Sequence, residues 1–366
     1  MSNIETQAPE DVRGIDRRVF MGLFGGGLGG AALVGAAAAT AWPAEVSASA
    51  ATPTEAAAPS GEARADHGGG HEGLSVDEMD DMHKQVVDQF LENIERPITR
   101  GVGATDLEYR MEDGVRVFEL TVMRAEWEVT PGQVEEAITY NGIVPGPTIR
   151  CVEGEPVRIH VKNDLDQSTS VHWHGQRVPN SQDGMPFLTQ PPIKPGETFT
   201  YEFVPGPFGS HMYHSHHNAT EQVTKGLLGA LLVEPRDRGA EPAYDKDELY
   251  ILNDVIGGFT VNGKGFPATP AYLAREGERV RFRFMNEGLM VHPIHLHGLT
   301  FEVFARDGYP LPQPFLCDTI TVAPGERWDA IVVADNPGAW AFHCHILSHA
   351  ESAQGMFGMV SVFIVE

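Results

Sequence analysis

Basic residues are scarce: 26 Lys and Arg stand against 51 Asp and Glu among 366 residues, a formal charge of -25 at pH 7. Non-specific nucleic-acid affinity comes mostly from attraction between cations and phosphate, so this balance argues against a nucleic-acid partner. Cysteine is scarcer still. Three in the whole chain cannot build a multi-disulfide scaffold. Long apolar runs are missing apart from Gly22 to Ala41, and that run is too rich in glycine to make a good lipid-facing helix. What is present is glycine (40) and proline (26), which favour strands and turns, together with 16 histidines. Twelve of these fall in four short clusters.

Residues 16–21 read Asp-Arg-Arg-Val-Phe-Met. The Arg17-Arg18 pair ahead of the apolar run resembles a twin-arginine export signal. Residues 1–43 are therefore read as a signal segment, and the protein as exported, periplasmic or extracellular; a membrane anchor is the competing reading. Residues 44–74 have almost nothing to bury and read as a disordered linker, with His67 and His71 as inert histidines inside it. A helix is expected from Val76 to about Glu95, opened by a Ser75/Glu78 capping box, as a lid or arm (75–100) packed on the domain that follows, 101–236.

Beyond residue 100 short alternating runs take over, such as Val157 to Val161 and Val280 to Phe284, and the chain repeats itself. Glu153-Gly154-Glu155 matches Glu276-Gly277-Glu278, and His172-Trp173-His174-Gly175 matches His295-Leu296-His297-Gly298, both at an offset of 123. Pro195-Gly196-Glu197 matches Pro324-Gly325-Glu326, and His214-Ser215-His216 matches His343-Cys344-His345, both at 129. The repeat implies two homologous all-β domains, 101–236 and 237–366, as Greek-key sandwiches or barrels.

In a strand, residues two apart share a face, so each His-x-His pair aims both imidazoles at one place. His172, His174, His214 and His216 come from the first domain; His295, His297, His343 and His345 come from the second. Eight imidazoles suit about three copper ions, although zinc and iron also accept imidazole. Cys344 points to the face opposite its two histidine neighbours. With His292 and His349 it offers the thiolate and two imidazoles of a blue electron-transfer copper, whose axial ligand is a weak thioether. The competing reading of Cys344 is an inert buried thiol. By the same offsets the first domain has Ser215, Thr169 and Thr220 at these positions, so it builds no blue site.

The four histidine segments resemble the copper motifs of the multicopper oxidases, over nearly all of residues 101–366. The size, and the single blue site in the second domain, are similar to the two-domain laccases. That resemblance implies two cupredoxin domains, each a closed Greek-key β-barrel, and four copper ions per chain. Cys344, His292 and His349 would bind type 1 copper. The axial ligand falls to Met356 after a two-residue bulge, with Met359 or no axial ligand as alternatives, since Gln354 occupies the usual position. His172 and His295 would bind type 2 copper. His174, His214, His216, His297, His343 and His345 would bind the type 3 pair.

Asp183 falls where the family has an acid close to the type 2 copper, and Glu351 where many members carry an acid on the proton path; a loop carboxylate making a turn or cap is the competing reading of each. The resemblance further implies one-electron oxidation of a small organic or metal-ion donor, with His292 presenting the solvent-facing ring edge, coupled to reduction of dioxygen to water. It also implies a homotrimer whose clusters lie between domain 1 of one chain and domain 2 of its neighbour; closure within one chain is left open. A copper nitrite reductase and a non-catalytic periplasmic copper-binding or electron-carrier protein are the rival readings. His211 and His217 are expected to be supporting or surface groups, and Cys151 and Cys317 free thiols.

Overall fold

The computed structural model describes residues 75–366, so the expected signal segment and linker lie outside the described residues. The chain opens on the helix Val76–Glu95. Ser75 caps it reciprocally: its hydroxyl accepts the Glu78 N–H (3.2 Å), and the Glu78 carboxylate accepts the Ser75 N–H (2.7 Å). The expected packing on the domain that follows, 101–236, is corrected: the apolar stripe faces the second half of the chain. Phe90 is wholly buried and stacks on Phe266 at 5.0 Å, and Val86, Val87, Leu91 and Ile94 pack beside Val360, Val362 and Ile364. Among the described residues no helix is long and apolar enough to cross a membrane.

Strands make up most of the rest, with a short helix at Ala219–Gln222. In the first half, Val115–Thr130 is flanked by Tyr109–Glu112, Gln133–Tyr140 and Val157–Asn163, and the last of these pairs with Thr198–Phe203. The facing sheet runs Gly146–Val152, Leu228–Glu234, Gly209–His214, His172–His174. Between the two sheets lie Phe118, Ile159, Trp173, Tyr201, Tyr213 and Leu231. In the second half a six-stranded sheet runs from Thr260–Val261 to Tyr309–Cys317, through Lys246–Asn253, Arg279–Asn286, Arg327–Val333 and Phe301–Arg306. Its partner has five strands: Ala271–Ala274, Val360–Val365, Gly338–Cys344, His292–Leu296, Thr319–Val322. Tyr250, Phe282, Phe284, Phe342 and Phe363 fill the space between them.

The fold is mostly β and cupredoxin-like, but the sheets do not close. The expectation of closed Greek-key barrels is therefore corrected to open, facing sheets, since in each the first and last strands lack a pairing that would join them. The edge strand Tyr109–Glu112 is mostly exposed, and Tyr309–Cys317 is too, with prolines at 310, 312 and 314. Proline has no N–H to donate to a further strand, which blunts that edge and stops the ladder there.

The two halves meet over a buried charge network. Asp329 accepts hydrogen bonds from Ser210 Oγ (2.6 Å) and Arg281 Nη2 (3.0 Å), and Arg283 Nε donates to Asp247 (2.6 Å). Arg281, Arg283 and Asp329 are all buried. Burial alone would raise the Asp247 carboxyl, but Arg283, Arg281 and Arg150 hold it below the ordinary carboxylate range.

Candidate metal centre

The duplication shows directly in strand register. His172 sits opposite His214, and His295 sits opposite His343, on antiparallel neighbours. The Nδ1 atoms are tied down in the same way in each half. His172 Nδ1 meets the Asp183 carbonyl and His295 Nδ1 the Asp318 carbonyl, both at 2.9 Å. His214 and His343 each turn Nδ1 to the carbonyl of the next residue, Ser215 or Cys344, at 3.0 Å. A carbonyl only accepts, so Nδ1 carries the proton and Nε2 keeps its lone pair, the form a metal binds. Burial, seconded by the Arg327 charge, pushes His174 down to about 3, and burial brings His214 to about 4; both are neutral at pH 7.

Within the first set His174 Nδ1 and His214 Nε2 are 3.3 Å apart, and one nitrogen each from His172, His174 and His214 lie close enough to share an ion. The His216 ring lies 5.5 Å from that of His172. In the second set His297 Nε2 and His343 Nε2 are 3.0 Å apart, and the His345 ring is 5.6 Å from His295. His216, His297 and His345 are exposed. No hydrogen bond or ring contact among the described residues joins the two sets. The first set faces instead a cleft of about 290 Å³ lined by Asn286, Glu287, Leu289 and Gly325 of the same chain.

Cys344 pairs with Ile294, so its side chain enters the core while His343 and His345 face the other way. There Sγ lies 3.6 Å from His349 Nδ1 and 3.8 Å from His292 Nδ1, and the two nitrogens are 3.3 Å apart. All three residues are buried. A point equidistant from the three atoms lies roughly 2 Å from each, within metal–ligand bonding range. Burial lifts the Cys344 thiol to about 11 and drops His349 to about 4, with His292 adding to the second shift. A soft cation would reverse the first shift by holding the thiolate. The donor set fits copper.

Other expected residues fall around this core. Met356 is half-buried in a two-strand hairpin, where it pairs with Glu351; Ala353 and Gln354 form the loop. Met359 is wholly buried, and its carbonyl accepts the Cys344 N–H at 3.0 Å. Glu351 is exposed. Asp183 Oδ1 lies 3.4 Å from His172 Nδ1. The expected solvent-facing edge of His292 is corrected: His292 is wholly buried, and Nε2 is held 3.0 Å from Asp254 Oδ2. Phe259 stacks on His349 at 4.0 Å. His211 is buried against the Pro207 carbonyl at 2.9 Å, and all three cysteines are free thiols.

Two functional features escape the sequence. Asp254 is one, since no motif ties it to a histidine 38 residues away. The other is Gln222, which fills the first half's counterpart of the blue site. Its Oε1 accepts from Thr169 Oγ1 (2.8 Å) and Ser215 Oγ (2.6 Å), the residues matching His292 and Cys344.

Residues 121–238 and 241–366 each match the multicopper oxidase family. The chain is 30% identical to copper resistance protein A of Escherichia coli over 281 residues (59% of this chain, 46% of that protein). It is 32% identical to laccase-2 of Botryotinia fuckeliana over 279 residues (62% and 46%). The chain thus spans about half the length of the curated relatives it matches. Among solved structures, a blue copper oxidase from Nitrosomonas europaea superposes with a TM-score of 0.65 at 33% identity, covering 69% of this chain and 86% of that one. Matched along both halves and carrying a buried His-Cys-His site beside paired histidines, the chain belongs to the multicopper oxidase family, with the copper-binding, redox character of a cupredoxin.

Proposed function

We propose that the chain is a laccase-like oxidase that takes electrons singly from a small donor, a phenol, an aromatic amine or a metal ion, and reduces dioxygen to two waters. One observation carries this: Cys344 of the buried His292/Cys344/His349 donor set ends the strand Gly338–Cys344, directly between His343 and His345 in the chain. Cys344 thus links an electron-accepting site to an oxygen-binding site through its own backbone neighbours. Copper, when bound, supplies one-electron storage at four ions per chain.

The chain's own residues do the rest. Cys344, His292 and His349 would hold the type 1 ion, with Met356 as a further candidate ligand. His172 and His295 would hold the type 2 ion; His174, His214, His216, His297, His343 and His345 would hold the type 3 pair. Asp183 orients His172, and the exposed Glu351 exchanges protons with solvent.

Two sets of four histidines that do not meet in one chain need a second copy. We therefore read the active form as a homotrimer, with the first set of one chain completed by the second set of its neighbour. The exposed His297 and His345, and the exposed Leu289, Met290 and Val291, support that contact. Two domains with boundaries near 101–236 and 237–366, and export directed by residues 1–43, complete the reading.

A second reading, copper binding or electron carriage without oxygen turnover, is favoured by a specific fact. Within a single chain only His172/His174/His214 and His292/Cys344/His349 approach closely enough to share an ion among the described residues. Curated relatives named for copper resistance point the same way. Oxygen uptake by copper-loaded protein with a dimethoxyphenol decides between them. Four donors oxidised per dioxygen supports the oxidase. A blue protein without uptake supports the carrier, and nitrite reduction instead would point to the reductase.

A further inference from the structure

Glu287 directly follows the strand Arg279–Asn286 and is one of the residues lining the cleft that His174, His214 and His216 also line. Its backbone is fixed on both sides: the N–H donates to the Leu252 carbonyl (3.0 Å), and its carbonyl accepts from Asn253 Nδ2 (3.2 Å). The side chain is 8% exposed, and Oε1 is buried without a hydrogen-bond partner among the described residues. Asp247, largely buried in the interface between the halves, is saturated with arginine contacts; Glu287 has no ion pair among the described residues.

We infer that Glu287 is the group that delivers protons to dioxygen in this cleft, an inference that rests on the oxidase reading. Burying a carboxylate without partners is costly, so the group keeps its proton. Burial lifts Glu287 to about 8, against the opposing charge of Arg327. The titratable groups around it leave that proton in place. Arg327 is the cation that acts on it, the Tyr140 and Tyr213 phenols are wholly buried and kept protonated chiefly by burial, and the cleft histidines are neutral or metal-directed.

Reduction of one dioxygen to two waters consumes four electrons and four protons. The electrons come from the oxidised donor. At each turn the Glu287 O–H breaks, its proton goes to oxygen derived from dioxygen, and solvent reprotonates the carboxylate through the open cleft. Asp183 is less suited to this work, because its side chain is 36% exposed and engaged with His172.

The test compares full-length wild type with Glu287→Gln, which keeps the shape but cannot release a proton, and with Glu287→Asp. In copper-free protein, the folded state holds a proton that the unfolded state has released between about 4.3 and about 8. Wild-type melting temperature should therefore fall relative to Glu287→Gln as pH rises through that window. In copper-loaded protein, Glu287→Gln should lose roughly 100-fold or more in kcat with donor KM and blue absorption unchanged, and Glu287→Asp should recover part of the rate. A melting difference that does not vary with pH, or wild-type kcat in Glu287→Gln, overturns the role of Glu287 alone. Copper-loaded wild type that takes up no oxygen overturns the oxidase reading and this inference with it.

Discussion

Asp254 Oδ2 and His292 Nε2 lie 3.0 Å apart, and both side chains are almost wholly buried. Burial would raise the Asp254 carboxyl, but His292 and the N–H groups of Leu289 and Met290 hold it below the ordinary range. A negative charge therefore stands behind one of the three convergent donors. It orients the imidazole and favours the more oxidised metal.

Neutralising that charge should show in the potential. Asp254→Asn is expected to keep the blue absorption and raise the type 1 reduction potential by on the order of 100 mV, the size of a few kcal/mol of partly screened Coulomb energy. Spectroelectrochemical titration measures it. An unchanged potential would mean that the carboxylate is neutral or electrostatically remote.

The separation of the two histidine sets gives a complementation test. A variant with His214→Ala and His216→Ala, and another with His295→Ala and His297→Ala, should each be inactive as homotrimers. Mixed trimers from co-expression should regain oxygen uptake, because some interfaces then carry one intact set from each chain. If mixing restores nothing while both variants assemble, the clusters are not shared between chains.

The charge network between the halves is a stability device with a definite pH signature. Asp247→Asn removes the carboxylate that the buried Arg283 Nε donates to, while Arg281 keeps Asp329 and Glu241, and should cost about 3 kcal/mol in denaturant unfolding at pH 7. The folded-state value of Asp247 is depressed. Its contribution is thus present above the unfolded value of about 3.9 and is lost as pH falls through the lower folded one. Asp247→Asn should accordingly flatten the acid limb of stability against pH.

Docking of the helix depends on one ring. Phe90→Ala removes the wholly buried side chain stacked on Phe266 and should cost about 3–5 kcal/mol. Protease cutting within residues 76–95 should rise with it. Unchanged protection would show that the cap and neighbouring contacts suffice.

Much of the site was legible because duplication and strand alternation are local patterns. The matched offsets brought His172 opposite His214 and His295 opposite His343, and alternation sent Cys344 to the other face. Sheet closure was not legible. Alternation is the same in a barrel and in an open pair of sheets, and the outcome turns on edge strands such as the proline-bearing Tyr309–Cys317. The burial of His292 was missed for a related reason. Asp254 and Glu287 reach their sites through tertiary packing, with no spacing that announces them. Gln222 filling the first half's counterpart site is likewise a contact across 53 residues of sequence.

Copper content and absorption of the purified, copper-loaded protein, wild type against Cys344→Ser, bear most directly on the claim that one thiolate-bound copper serves a shared three-copper cluster. Four ions per chain with intense thiolate-to-copper absorption are expected, falling to three ions and no blue colour in Cys344→Ser. Two ions per chain in the wild type, or a blue band that survives loss of Cys344, would contradict it.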